Sequence, residues 1–191
     1  MIDRGKRNLL GVGISAVDYE YAVAKIMDAA KKGRRCATTA LAVHGVITGA
    51  MDSAHRYRLN TFDLVTPDGQ PVRWGLNLLH GTKLNDRVYG PTMTLKVCQQ
   101  AALQGIPVYF YGSSQAVLDQ LCARLPELCP GLKIAGAHPS QFRLLSAEEQ
   151  VLAAERISQS GAKILFVGLG CPRQEVFTYR SEEHTSELQS L

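Results

Sequence analysis

No stretch of this 191-residue chain approaches the long uncharged apolar run that a membrane-spanning helix requires. No CxxC pair occurs among the five cysteines, Cys36, Cys98, Cys122, Cys129 and Cys171. The odd count and the missing pairs argue against a disulfide framework and a zinc site. Reduced, buried thiols of a cytoplasmic protein are the expectation. No P-loop and no GxSxG elbow occurs. His44, His55, His80 and His138 are dispersed, so no metal site is expected. Charges of one sign never run beyond two or three residues. The net charge of +4 suits nucleic acid, an anionic membrane or phosphorylated substrates and does not choose among them.

What is there has a globular balance, with 46% hydrophobic and 20% charged residues. The length suits one domain with a real core. Basic residues from Met1 to Arg7, followed by the apolar run Leu9 to Val17, imitate a signal peptide. Two glycines dilute that run and an acidic amphipathic helix follows, so a first buried strand is expected instead.

Apolar β-rich runs then alternate with helical spacing. Strands are expected over Leu9–Ile14, Cys36–Leu41, Phe62–Val65, Pro107–Tyr111, Leu132–Ala135 and Lys163–Leu169. Val23, Ile26, Met27 and Ala30 share one helical face. Val43, Val46, Ile47, Ala50, Ala54 and Tyr57 have the spacing of another helix. Pro71–Leu79 reads as a short helix, Pro91 opens the next, and Ser146 with Glu149 forms a capping box. This alternation predicts an α/β fold: a mainly parallel sheet with helices on both faces, Rossmann-like. Such sheets bind ligands outside the carboxyl ends of their strands.

Polar residues near those strand ends are the candidates for chemistry. Thr38 and Thr39 can meet a phosphate or a sugar, or satisfy local backbone. Asp68, in Thr66-Pro67-Asp68-Gly69, can take a proton from an attacking hydroxyl. The same Pro-Asp-Gly is also a common turn. Arg87 precedes a helix start and suits a diphosphate, or pairs with Asp86 at the surface. Gly112 and Ser113 close a strand where a nucleotide can lie. Gly168 and Gly170 allow a ligand close to the backbone, and Gln174 and Glu175 follow at a helix start. Arg173 stands where the dinucleotide fingerprint needs its third glycine, so a nicotinamide role has little support.

Taken together these groups resemble the WecG/TagA/CpsF glycosyltransferases, glycosyltransferase family 26. The likeness covers roughly Asn8 to Tyr179. It rests on Leu10-Gly-Val-Gly-Ile14, Ala37-Thr38, Thr66-Pro-Asp-Gly69, Asp86-Arg-Val-Tyr-Gly90, Tyr111-Gly112, Gly131-Leu-Lys-Ile134 and Gly168-Leu-Gly-Cys-Pro-Arg-Gln-Glu175. The resemblance implies transfer of a sugar, often N-acetylmannosamine or its uronic acid, from a UDP-sugar to a polyprenyl-diphosphate-linked acceptor. The products feed teichoic acid or other cell-surface polysaccharides. It also implies anomeric inversion without a bound metal or other cofactor, a peripheral place on the inner face of the cell membrane, and no nucleic-acid partner. A homo-oligomer is compatible with it. By the same resemblance Asp68 is the base, Thr38 a site threonine, Arg87 the diphosphate arginine and Gln174 a donor-site glutamine.

Two departures stand out. Thr38 is followed by Thr39-Ala40 where the family commonly carries Thr-Pro-Asn. Residues Arg180 to Ser190 read as an in-frame sequencing adapter, so residues 1–179 are expected to be an incomplete glycosyltransferase domain and 180–191 a non-native tail. The family's next strand and basic C-terminal appendage are then missing, and little activity is expected of the chain as it stands. The rival readings are a nicotinamide-dependent oxidoreductase and a nonenzymatic nucleotide- or RNA-binding module.

Overall fold

The computed structural model describes residues 1–143 and 145–188. The expected tail, residues 180–191, therefore lies partly outside the described residues. The chain divides into two compact units, Met1–Val97 and Cys98–Leu191.

The first unit opens with β1 (Asp3–Leu9) and β2 (Val12–Val17), paired antiparallel. The expected strand over Leu9–Ile14 is thus corrected: the chain reverses inside it. Gly11 sits at φ 90°, a conformation open to glycine, and its N–H donates to Asn8 Oδ1 at 2.9 Å. The basic segment that imitated a leader is strand β1, exposed except at Leu9.

Helix α1 (Tyr19–Lys32) follows, capped by Asp18, which accepts the Tyr21 N–H at 2.8 Å. Val23, Met27 and Ala30 are buried, as their spacing predicts, while Ile26 is only half-buried, and Gly33 ends the helix in the left-handed conformation. Strand β3 (Thr38–Leu41) then leads to α2 (Val43–Met51) and α3 (Ser53–Thr61). The single helix expected over Val43 to Tyr57 is therefore two. Asp52 breaks it: its backbone is extended, and its carboxylate accepts the N–H groups of Ala54 and His55 to start α3. Val46 is buried as its spacing predicts, but the break turns Val43, Ile47 and Tyr57 outward and buries His55 and Leu59 instead.

Strand β4 (Leu64–Pro67) pairs parallel to β3, from Thr38 opposite Leu64 to Leu41 opposite Pro67. Helix α4 (Gln70–His80) starts directly beyond it. Ser15 of β2 accepts the Val65 N–H through its hydroxyl at 3.1 Å, setting the hairpin beside β4. The core of this unit gathers Val12, Ile14, Leu41, Leu59, Val65 and Leu76, all essentially without solvent contact. Helix α5 (Gly90–Gln104) runs across the division between the units.

In the second unit β5 (Val108–Gly112) lies between β6 (Ile134–His138) and β7 (Ile164–Gly168), both parallel to it. Helices α6 (Gln115–Leu128), α7 (Ala147–Gln159) and α8 (Arg173–Leu188) flank the strands. The Ser146–Glu149 capping box forms as read. Phe110 and Phe166 stack at 5.1 Å across β5 and β7, while Tyr111 meets Phe177 of α8 at 4.7 Å. Parallel pairings dominate, as the α/β pattern predicts, and the antiparallel hairpin is the addition to it.

Gly49 gives a direct test of the first core. A Cβ there would fall 2.8 Å from Val12 Cγ2 and 2.9 Å from Leu59 Cδ1. Gly49→Val is expected to lower stability by about 1–3 kcal/mol, read from urea unfolding, because the core has no slack for it. An unchanged midpoint would contradict this packing.

Candidate functional site

The carboxyl end of β4 places Asp68. Its backbone N–H continues the parallel ladder to Leu41 O at 3.1 Å. Its side chain does not close its own Pro-Asp-Gly turn. Instead Asp68 Oδ2 accepts the Gly90 N–H at 3.3 Å, and one residue earlier Pro67 O accepts the Val88 N–H at 2.9 Å. The segment before α5 is thereby fastened across the end of β4. Asp68 is half-buried. Burial pushes its carboxyl above the ordinary aspartate value, opposed by the Gly90 hydrogen bond and the Arg87 charge.

This fastening keeps Arg87 near enough for its charge to favour ionised Asp68, without an ion pair between the two. Its guanidinium lies 4.6 Å above the Tyr89 ring. Asp86 is occupied otherwise, accepting Gln70 Nε2 at 3.1 Å and the backbone N–H of Arg87 at 2.8 Å. Tyr89 is held in turn, its N–H donating to the Tyr19 hydroxyl at 2.8 Å. Neither tyrosine was singled out from the sequence, and Tyr89 stood only within the quoted Asp86–Gly90 spacing. Gly90 lies against Ala40 and Asp68, whose Cβ and Oδ2 stand 3.4 and 3.6 Å from its Cβ position, ordinary contact distances.

The two threonines sit differently. Thr38 is the first residue of β3 and pairs with Leu64, whereas Asp68 follows Pro67 at the other end of the ladder. The span is three residues, roughly 10 Å. The expectation that Thr38 stands near the strand's end is corrected. Asp63 Oδ2 takes the Ala37 N–H at 2.8 Å, and the ladder begins only after it. Thr39 is buried, and its carbonyl accepts the Thr66 hydroxyl at 3.4 Å.

The second unit carries its own group of candidates at its strand ends. Gly112 has φ 121°, and a Cβ there would collide with the Gly168 backbone. This close approach lets Ser113 donate its N–H to Gly168 O at 3.0 Å. Ser113, itself left-handed at φ 61°, accepts the Ser140 N–H, while Ser114 caps α6. Gly170 is also left-handed and donates its N–H to Gln174 Oε1 at 3.1 Å. Gln174 Nε2 donates to Glu175 Oε1 at 3.0 Å, so the glutamine amide braces the loop after β7. Glu175 is buried. Burial, and then the Glu175 carboxylate, push the Cys171 thiol up to about 12, which keeps it an inert thiol.

Beside this loop lies a shallow depression enclosing about 30 Å³, bordered by Tyr111, Ser140, Arg143, Leu169, Arg173 and Phe177. Tyr111 stacks on His138 with ring centroids 6.2 Å apart. Arg143 binds Glu149 through both carboxylate oxygens, which pulls that carboxyl down to about 2. Sequence reading passed over Arg143 because it lies in a segment without periodicity.

The profile described as "Glycosyl transferase WecG/TagA/CpsF family" matches residues 7–189. A curated protein of Bacillus spizizenii strain W23 is 29% identical over 122 residues. Its name is N-acetylglucosaminyldiphosphoundecaprenol N-acetyl-beta-D-mannosaminyltransferase. The match takes in 64% of this chain and 45% of the relative, so the chain spans about half the length of the curated protein it matches.

The Asp68 surroundings can be checked without any ligand. Carboxyl-detected NMR is expected to find Asp68 titrating above ordinary aspartates. Arg87→Ala is expected to move that midpoint higher still, because the arginine charge favours the ionised form. A midpoint that falls, or stays, in Arg87→Ala would contradict the influence of the arginine charge on Asp68.

Proposed function

The chain belongs to the WecG/TagA/CpsF glycosyltransferase family, and from that premise we propose that the protein moves an N-acetylmannosamine-type sugar from a UDP-sugar to a polyprenyl-diphosphate-linked N-acetylglucosamine. The product would enter teichoic acid or another cell-surface polysaccharide. One observation carries the reading: a half-buried carboxylate of raised pKa at the carboxyl end of β4, with an arginine beside it.

The chemistry follows from those two groups. An alcohol is a poor nucleophile until its proton is taken, and Asp68 takes it. The acceptor oxygen then forms its bond to the anomeric carbon on the face opposite the nucleotide. The bond from that carbon to the diphosphate oxygen breaks, and UDP leaves with the electron pair, which inverts the anomeric centre. Arg87 meets the negative charge that grows on the leaving diphosphate. Positive side chains, rather than a bound metal, are assigned this task. The donor role of Gln174 and of the glycines Gly168 and Gly170 rests on the family resemblance.

A lipid-linked acceptor implies work at a membrane surface. No described helix is long and apolar enough to cross a membrane, and we assign the protein a peripheral place on the cytoplasmic leaflet.

Asp68→Ala is expected to lower kcat by about 10²–10⁴-fold with UDP affinity by calorimetry little changed. Arg87→Ala is expected to weaken both transfer and UDP binding. Excess chelator is expected to leave the wild-type rate within twofold of its control, roughly the scatter of an assay in which no Lewis-acid contribution is lost. Near-normal turnover in Asp68→Ala contradicts the proposed base, and loss of activity with chelator contradicts the metal-free reading.

A further inference from the structure

Helix α4 has three sides, and only two are accounted for by the fold. Val72 and Leu76 enter the core. Arg73 and Asn77 hold the following loop: Arg73 Nη1 donates to Leu84 O and Asn85 O at 3.0 Å each, and Asn77 Nδ2 donates to Leu84 O at 2.9 Å. The third side carries Pro71, Trp74 and Leu78, with Leu79 at the end, and offers water no charged group. Trp74 is 57% exposed, Leu78 85% and Leu79 68%. A helix on a water-facing surface ordinarily places its polar residues there.

The border of this side is basic. Helix α4 itself contains no acidic residue. Strand β1 lies against it, with Leu9 packed at Gly75 and His80 Nε2 bonded to Asn8 O at 2.7 Å. That contact brings exposed Arg7 and, at the hairpin turn, exposed Leu10 to the same end. Lys83 is exposed in the loop after α4. Two acidic residues stand near the helix start and both are engaged: Asp68 accepts the Gly90 N–H and Asp86 accepts Gln70 Nε2.

An outer face of tryptophan and leucine with arginine and lysine at its edge is the composition of a helix lying in an anionic lipid interface. At 11 residues α4 is about 16 Å long, suited to lying on a bilayer rather than crossing it. We propose that the Pro71–Trp74–Leu78–Leu79 face of α4 docks the protein on an anionic bilayer. The helix begins two residues after Asp68, so docking would fix the general base at a set height above the membrane. This inference rests on the proposed lipid-linked acceptor and names the surface that meets its membrane.

Trp74 is the only tryptophan in the chain, so its fluorescence reports on this face alone. Vesicles of phosphatidylglycerol with phosphatidylcholine are added to the protein at low salt. A blue shift of Trp74 emission is expected, with flotation alongside the vesicles and much weaker effects with phosphatidylcholine alone. Leu78→Glu is expected to weaken partitioning at least about tenfold. Because Leu78 is exposed, its thermal midpoint should match wild type. No shift with the anionic vesicles overturns the proposal. So does a blue shift that appears without lipid as protein concentration rises, together with a dimer in sedimentation, since the face would then receive a second copy. The readout needs no turnover. Vesicle binding by a protein whose calorimetry shows no UDP affinity would sink the transferase reading and leave the docking face standing. Transfer to a water-soluble acceptor by a protein that ignores vesicles would do the reverse.

Discussion

Two backbone N–H groups, from Val88 and Gly90, fasten the segment before α5 across the end of β4, one to the Pro67 carbonyl and one to the Asp68 carboxylate. The rest of the candidate site in the first unit depends on this fastening. It directs the aspartate toward the opposing segment rather than into its own turn. It also keeps Arg87, steadied over Tyr89, near a carboxylate that burial makes reluctant to ionise. A fully solvated aspartate would be too weak a base, and one fully neutralised by its arginine weaker still. Burial outweighs the Gly90 hydrogen bond and the Arg87 charge, so the carboxyl sits above the ordinary aspartate value.

Much of this was legible in the sequence because strand and helix periods are strong where a core lies on one side. The four-residue apolar run of β7, the Ser146–Glu149 box and the inward face of α1 all appear as read. The failures have physical causes. Strand β1 is almost entirely exposed and rich in arginine and lysine, so no hydrophobic pattern marks it; pairing with β2 makes it a strand. Asp52 interrupts a helical period that its neighbours continue, and a single capping side chain outweighs that spacing.

Site residues were legible where chain order alone sets position. Asp68 follows a strand, so its place at the sheet's edge was readable, while its partner Gly90 lies 22 residues on and was not. Thr38 was read near the end of its strand and instead opens it. The serine and glycine turns of the second unit were found as strand-end signals. Their use, bracing β5 against β7 through the Gly112–Gly168 approach, required coordinates. The family's Thr-Pro-Asn has no counterpart at Thr38-Thr39-Ala40, and Thr39 is buried with its carbonyl occupied by Thr66.

The pH dependence of kcat/KM for sugar transfer tests the account at its centre. With Asp68 as base, the rate should fall on acidification through one ionisation above the ordinary aspartate value of 3.8, as the carboxylate gains its proton. That acid limb should vanish in Asp68→Asn, leaving a low and flat residual rate. An acid limb that survives in Asp68→Asn, at comparable turnover, would show that another group takes the proton.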